Sequence, residues 1–275
     1  MNPYQDQVAI VTGAASGMGR ELVRRLAADG ATIIACDIDA KNLEDAQRAL
    51  GSLAACVRTE ALDVADAVRF RKIVSTAARD HGRLDFVFNN AGIAVYGELL
   101  DMTRAQWEKI VNVNLWGVIN GTTAAYEVMA KQGRGAIVNT ASAAGLAPIP
   151  LLTAYAMTKH AVVGLSTSLR AEARAHGVQV NVVCPGVVNT RIFDNATGLG
   201  FDLPLLRGKN PAGEMSVEKA VDCILDGVAK NEGVIVFPAN ARLLDRLIRL
   251  RRGLHEPLWD RGLKQIRAYR QKKGS

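Results

Sequence analysis

The chain has 275 residues, 49% of them hydrophobic and 22% charged, with four cysteines and a formal charge of +7. This balance supplies ample apolar surface for a core and excludes a disordered chain. Cys36, Cys56, Cys184 and Cys223 are widely scattered, with no C-x-x-C pair and no histidine close by, which excludes a disulfide framework and a zinc site; no metal is expected.

In chain order, residues 7–12 read as a short buried strand rich in Val and Ile. Helical periodicity through Leu22, Val23 and Leu26 follows over 17–29 and stops at Gly30. Residues 31–37 are a second strand, 40–50 a helix, 54–62 a third strand, 66–80 a helix and 84–90 a fourth strand. One long helix is predicted over 103–131. A fifth strand at 135–142, a helix at 153–176, a sixth strand at 178–186, a helix at 216–230 and a seventh strand at 233–237 complete the alternation. Continuous apolar strands alternating with helices specify a mostly parallel sheet covered on both faces. The fold class is therefore α/β: a single doubly wound, seven-stranded domain over residues 1–240.

Two stretches break this rhythm. Residues 187–215 are long, irregular and rich in Gly and Pro, the profile of a lid or binding loop. Residues 241–275 form a basic extension, with two amphipathic helices predicted at 241–252 and 256–271. From Arg242 to Ser275, 11 Lys and Arg face three acids, a net of +8, so the first 241 residues carry −1. The extension reads first as a segment docking on this subunit or a partner subunit, and second as a peripheral membrane contact. No nucleic-acid module is recognisable, and no nucleic-acid partner is expected. No apolar run is long enough to span a bilayer, and the polar start of the chain lacks the regions of an export signal, so a cytoplasmic location is expected.

The first chemistry-bearing motif is Thr12-Gly13-Ala14-Ala15-Ser16-Gly17-Met18-Gly19, between a strand and a helix. Glycines there let the backbone turn tightly against a pyrophosphate, and the helix N-terminus offers free N–H groups and a positive dipole end. The second is Tyr155-Ala-Met-Thr-Lys159, which puts a phenol and an ammonium on one helix face. A nearby positive charge favours the phenolate, so the Tyr155 pKa is expected to fall toward the working range of an acid/base. A second Y-x-x-x-K, Tyr269 and Lys273, lies in the extension with no strand to deliver a substrate to it. Ser142 ends the fifth strand, where open α/β sheets bind ligands. Asn114 sits in mid-helix, where Asn is a poor choice for stability.

The G-x-x-x-G-x-G spacing after Thr12, with Asn114, Ser142, Tyr155 and Lys159 in order, resembles the short-chain dehydrogenase/reductase family over about residues 5–240. Asp63-Val64, Asn89-Asn90-Ala91-Gly92 and Pro185-Gly186 with Val188 and Thr190 match as well, and no member of the core pattern is missing. The resemblance implies a Rossmann-type fold and an NAD-linked oxidoreductase that interconverts an alcohol and a ketone. Tyr155 would be the acid/base, Ser142 would orient the substrate oxygen, and Lys159 would hold the nicotinamide ribose. Asn114 would hold a water that relays protons through Lys159. Cofactor contacts are expected from Gly13, Ser16, Gly17, Met18, Gly19, Asp37, Ile38, Asp63, Val64, Asn90, Ala91, Gly92, Tyr155, Lys159, Pro185, Gly186, Val188 and Thr190. Asp37 closes the second strand, where an acid accepts from ribose hydroxyls and repels a 2′-phosphate, which selects NAD; Asp39 is left to cap the next helix. Ser16 agrees, since NADP-using members often carry a basic residue there. The apolar loop 143–152 and Ile192, Phe193, Leu199, Phe201, Leu203, Leu205 and Leu206 suggest a hydrophobic secondary alcohol or ketone. Arg191 and Arg207 are candidates for an acidic group. An NADPH-dependent 3-oxoacyl reductase and a non-catalytic dinucleotide-binding scaffold acting through the extension are the competing readings. The family also implies a homo-oligomer, dimer or tetramer.

Overall fold

Seven short strands pair in parallel with their neighbours; most are runs of Val, Ile, Ala and Phe, while β3 carries Arg58, Thr59 and Glu60. A computed structural model of the chain describes residues 2–190, 192, 196–201, 213–243, 260, 263, 264 and 267. The elements are β1 (Val8–Thr12), α1 (Gly17–Ala28), β2 (Thr32–Asp37), α2 (Ala40–Arg48), β3 (Val57–Ala61), α3 (Ala67–His81), β4 (Phe86–Asn89) and β5 (Val95–Tyr96). They continue with α4 (Arg104–Val111), α5 (Gly117–Gln132), β6 (Gly135–Thr140), α6 (Thr153–Ala173), β7 (Val178–Pro185), β8 (Thr197–Gly198), α7 (Val217–Ala229) and β9 (Val234–Phe237). The main sheet runs β3-β2-β1-β4-β6-β7-β9, parallel at every pairing. Strand order reverses between β1 and β4, which opens a crevice at their carboxyl ends.

Alternate residues of each strand feed opposite faces, and in the central strands both faces are apolar. Ala9 and Val11 pack with Leu22, Leu26, Ile224 and Val228 under α1 and α7. Val8 and Ile10 pack with Phe70, Val74, Ala125 and Met129 under α3 and α5. Fully buried side chains of this size contribute about 1.5–3 kcal/mol each. α5 lies close to β4 because Gly121 has no side chain: a Cβ there would sit 2.0 Å from Asn89 Oδ1 and 2.5 Å from Phe70 Cζ. A buried polar chain crosses the same layer. Asn89 Nδ2 donates to Asn139 Oδ1 at 2.8 Å, Thr122 Oγ1 donates to the same oxygen at 3.2 Å, and Asn139 Nδ2 donates to Ser166 Oγ at 3.0 Å.

Helix starts follow their capping residues. Asp39 accepts from Asn42 N at the head of α2, as expected of it. Asp66 caps α3, Thr103 and Gln106 form a reciprocal capping box on α4, and Ser216 caps α7.

Three expectations are corrected. The third strand begins at Val57, because Gly51–Cys56 winds into a 3-10 turn. The helix predicted over 103–131 is interrupted at Asn112–Trp116 by a π turn. A second, two-stranded parallel sheet pairs β5 with β8, so the region after β7 is partly ordered by backbone pairing. Cys36 and Cys184 are buried, Cys223 is partly buried and Cys56 is exposed.

Residues 239–243 begin a helix, and Asp260, Leu263, Lys264 and Arg267 are also helical. The rest of the two helices predicted in the extension, the Tyr269–Lys273 pair, Arg191, Phe193, Leu203, Leu205, Leu206 and Arg207 lie outside the described residues.

Candidate active site

The glycine-rich turn is built from its smallest residues. Gly13 and Gly17 hold φ of 68° and 51°, a region that favours glycine. A Cβ on Gly19 would stand 2.0 Å from Gly13 O, so the start of α1 packs directly on the turn. Thr12 ties β1 to the loop after β4: its Oγ1 accepts from Asn90 N at 3.0 Å and Ala91 N at 3.1 Å, while Asn90 Nδ2 donates to Thr12 O at 3.1 Å. Asp37 braces the turn from β2, with Oδ2 accepting from Ala15 N and Oδ1 from Asp39 N, both at 3.0 Å. Ser16 precedes α1 without a side-chain cap, and the first turn holds no acid. The leading N–H groups of α1 thus keep the positive end of the dipole open to an anion.

Gly13, Ser16, Gly17, Met18, Asp37, Ile38, Asp63, Val64, Asn90, Ala91, Gly92 and Thr190 line one open cleft of about 420 Å³. That lies within the roughly 300–1,000 Å³ of a small-molecule pocket, and its lining runs from the glycine turn past the ends of β2 and β3 to the loop after β4. Ile38 is 71% exposed on its rim. Asn42, Ile93, Lys109 and Val113 join the wall; sequence reasoning missed them because they come from helix faces and a loop that carry no motif. Six expected contacts, Gly19, Tyr155, Lys159, Pro185, Gly186 and Val188, are not in this wall. Pro185 O accepts from Ser142 Oγ at 3.4 Å, Gly186 N donates to Phe237 O at 2.7 Å, and Val188 is buried and bridges to Met215.

At the carboxyl end of β6, Ser142 adopts an extended backbone and caps a short 3-10 turn, its Oγ accepting from Ala144 N at 3.1 Å. The Tyr155 phenol shares a hydrogen bond with Ser142. Lys159, one turn further along α6, is 2% exposed. Its Nζ donates to Thr140 O at 2.8 Å and lies 5.5 Å from the centroid of the Tyr155 ring. Thr140 enters through its backbone carbonyl, which no side-chain pattern signals.

The electrostatics correct the expectation for Tyr155. Burial pushes its pKa up to about 12, the Ser142 hydrogen bond pulls the other way, and Tyr96 and Cys184 add to the rise. Burial also lowers Lys159 to about 8. Desolvation is thus the largest effect on the phenol in the protein alone, and it favours the protonated, donating form.

Asn114 is completely buried in the π turn. Its Oδ1 accepts from Ile93 N at 2.8 Å and its Nδ2 donates to Ile93 O at 2.9 Å and to Thr158 Oγ1 at 3.4 Å. The side chain therefore fastens the loop after β4 to α6, which explains a poor helix former in that place. Gly92 lies between: a Cβ on it would be 3.4 Å from Asn114 Oδ1 and 3.5 Å from Lys159 Nζ. Around Tyr155 the packing is apolar, with Ala94, Val95, Leu152, Ile149, Ile192 and Leu199 in one cluster; Phe201 is buried as well. Among the described residues no group of three or more His, Cys, Asp and Glu gathers to hold a metal, and no helix is long and apolar enough to cross a membrane.

A family model described as short chain dehydrogenase matches residues 7–198. Levodione reductase of Leifsonia aquatica is 36% identical over 196 residues, which cover 70% of this chain and 73% of that protein. EphD of Mycobacterium bovis is 38% identical over 202 residues, 73% of this chain, and the chain spans only 34% of that protein's length. A short chain dehydrogenase/reductase from Burkholderia phymatum in complex with NAD superposes with a TM-score of 0.83 at 26% identity, covering 90% of this chain and 95% of its own. A short-chain dehydrogenase from Sphingobium yanoikuyae in complex with NADPH reaches 0.77 at 27% identity, covering 91% and 95%.

Proposed function

We propose a reaction, a cofactor and a substrate class from one premise: the chain belongs to the short-chain dehydrogenase family, and is an oxidoreductase of that family. The reaction is the interconversion of a hydrophobic secondary alcohol and its ketone, with NAD as cofactor and Tyr155 as the acid/base. The observation that carries it is the Tyr155 phenol hydrogen-bonded to Ser142 beside the buried Lys159.

The residues fit a dinucleotide. A Cβ on Gly17 would come within 3.3 Å of Thr190, so the gap between the turn and the loop after β7 exists only for a bare backbone. The uncapped N-terminus of α1 suits a pyrophosphate. Asp37, Ile38, Asp63 and Val64 would take the adenosine end, and Asn90 to Gly92 with Thr190 the ribose and nicotinamide end. Pro185, Gly186 and Val188 would border the nicotinamide through the backbone. When bound, the dinucleotide supplies the acceptor or donor of the hydride.

The chain's own residues handle the oxygen and its proton. Ser142 and Tyr155 hold the substrate oxygen between them. In reduction the neutral phenol donates its proton to that oxygen as negative charge develops on it; in oxidation the proton moves back to the phenolate. Lys159 would hold the nicotinamide ribose through Nζ, and burial, which lowers it to about 8, eases the release of one proton to solvent as it takes up another. Asn114 fixes the loop that carries Gly92 and Ile93 against α6. The apolar cluster around Tyr155 excludes water and selects a hydrophobic carbon skeleton.

Asp37 on the cleft wall favours NAD, because its carboxylate would repel a 2′-phosphate. That argues against the NADPH-dependent 3-oxoacyl reductase reading, and the complete Ser142, Tyr155, Lys159 and Asn114 set argues against a silent scaffold. A homo-oligomer is proposed from the family, and an interface could cover exposed apolar side chains such as Trp116 and Met157. Residues 1–240 make the nucleotide-binding and catalytic unit, and 241–275 an appended extension. A panel of hydrophobic secondary alcohols with NAD, followed by the absorbance of reduced nicotinamide, tests the proposal. Turnover with at least one alcohol and a preference for NAD over NADP are expected; turnover restricted to NADP overturns the cofactor.

A further inference from the structure

The loops on the substrate side are stitched together by backbone bonds. In the β5–β8 pair, Thr197 N donates to Ala94 O at 3.3 Å and Leu199 N to Tyr96 O at 2.7 Å. Gly97 N donates to Leu151 O at 2.9 Å, which joins the same clasp to the loop after β6. Leu151 holds a φ of 66°, a costly conformation for a residue with a side chain. Leu199 seats directly on Gly97, where a Cβ would come within 2.5 Å of Leu199 Cβ. Leu199 and Tyr96 belong to the apolar cluster around Tyr155. The clasp therefore sets part of the wall that a substrate skeleton would meet.

The C-terminal extension reaches this clasp. Glu98, the residue after Gly97, is ion-paired through Oε1 with Arg267 Nε at 2.7 Å. Leu263, four residues earlier on the same helical face, is half-buried. At its other end the extension leaves β9 beside β7: Arg242 Nη2 donates to Val236 O at 3.0 Å, and Ala241 Cβ lies 3.5 Å from where a Cβ on Gly186 would stand. Ala241 thus lies beside Gly186 after β7, and Arg267 beside Glu98 after β5.

We infer that Arg267 is a substrate-specificity positioning residue: through Glu98 it holds the β5–β8 clasp, and so Leu199, in the geometry that shapes the apolar wall beside Tyr155. The extension is then a fitting of its own subunit's substrate site. The inference rests on the function proposed above for Tyr155. The pair is only partly sheltered, with the Arg267 side chain 58% and the Glu98 side chain 16% exposed, so its effect is small, at most about fivefold in affinity.

The test uses the full chain with Arg267→Gln, Arg267→Lys, Glu98→Gln and the charge-swapped pair Glu98→Arg/Arg267→Glu. For a bulky secondary alcohol turned over by the wild type, KM should rise about threefold in the two Gln variants, with kcat and the Kd for NADH unchanged. Arg267→Lys and the swapped pair should recover most of the loss. Added salt should raise KM in the wild type and leave the Gln variants flat, because screening removes only what the ion pair supplies. Equal KM in all forms, or a loss that neither recovery variant repairs, overturns the inference. Amide hydrogen exchange at Gly97, Thr197 and Leu199 is read alongside and needs no substrate. Faster exchange in Arg267→Gln supports the clasp role, and unchanged exchange refutes it. A wild type that oxidises none of the alcohols would defeat the functional reading, while the exchange result still decides the clasp.

Discussion

Lys159→Met keeps the bulk of the side chain and removes its charge, and it should make the fold more stable while abolishing turnover. Burial lowers the lysine from 10.5 to about 8. At about 1.4 kcal/mol for each tenfold change, the charged form costs the folded state about 3 kcal/mol at pH 7. Loss of the bond to Thr140 O offsets about 1 kcal/mol of this, leaving a gain of about 2 kcal/mol. For a domain of this size that corresponds to a Tm roughly 4–8 °C higher. The sign with pH is fixed by the direction of the shift. The folded protein binds fewer protons than the unfolded one between pH 8 and 10.5, so the cost is fully present below about 8 and fades as the pH climbs to 10.5. Thermal unfolding of wild type and variant at pH 7 and at pH 10, without dinucleotide, measures the difference directly. The reasoning is refuted if the Met variant is the less stable at pH 7, or if the gap between the two does not narrow at the higher pH.

Three further outcomes are expected. In Gly19→Ala the new methyl would meet Gly13 O at 2.0 Å, so the turn must shift; dinucleotide affinity by titration calorimetry should fall more than about tenfold while Tyr155 and its partners stay in place. Asp37→Ala removes both the acceptor for Ala15 N and the charge at the ribose end, and the ratio of NADP to NAD affinity in fluorescence titrations should rise about tenfold or more. Ser142→Ala deletes the one hydrogen bond that opposes the burial of Tyr155. The phenol pKa therefore rises further, the alkaline-rising limb of alcohol oxidation should move to higher pH, and kcat should drop about 10–100-fold.

Most of the main sheet was legible from the sequence because its strands are apolar runs bounded by turn residues, alternating with helices that carry an apolar stripe. Among the described residues, the seven strands of this sheet were readable. β5 and β8 were not: each has only two residues, and their pairing is a long-range event that no local period announces. The break at Asn112–Trp116 was hidden as well, since the residues on either side keep helical periodicity and the cause is tertiary, the grip of Asn114 on both backbone groups of Ile93. In the candidate site, side chains placed by motif spacing did come together: Ser142 with Tyr155, Tyr155 with Lys159, and the glycine turn with Asp37. Groups that act through the backbone, such as Thr140 O, left no trace in the sequence. The Tyr155 ionisation was misjudged for a related reason. Spacing reveals that an ammonium is near, but not that both groups are sealed from water, and burial is the larger effect.

The central claim is that Tyr155 moves the proton in an NAD-linked alcohol oxidation. It is tested most directly by the turnover of Tyr155→Phe relative to wild type with NAD and a hydrophobic secondary alcohol that the wild type oxidises. The account predicts a fall of about 10²–10⁴-fold, the range for loss of a positioned acid/base. Turnover within tenfold of wild type would contradict it.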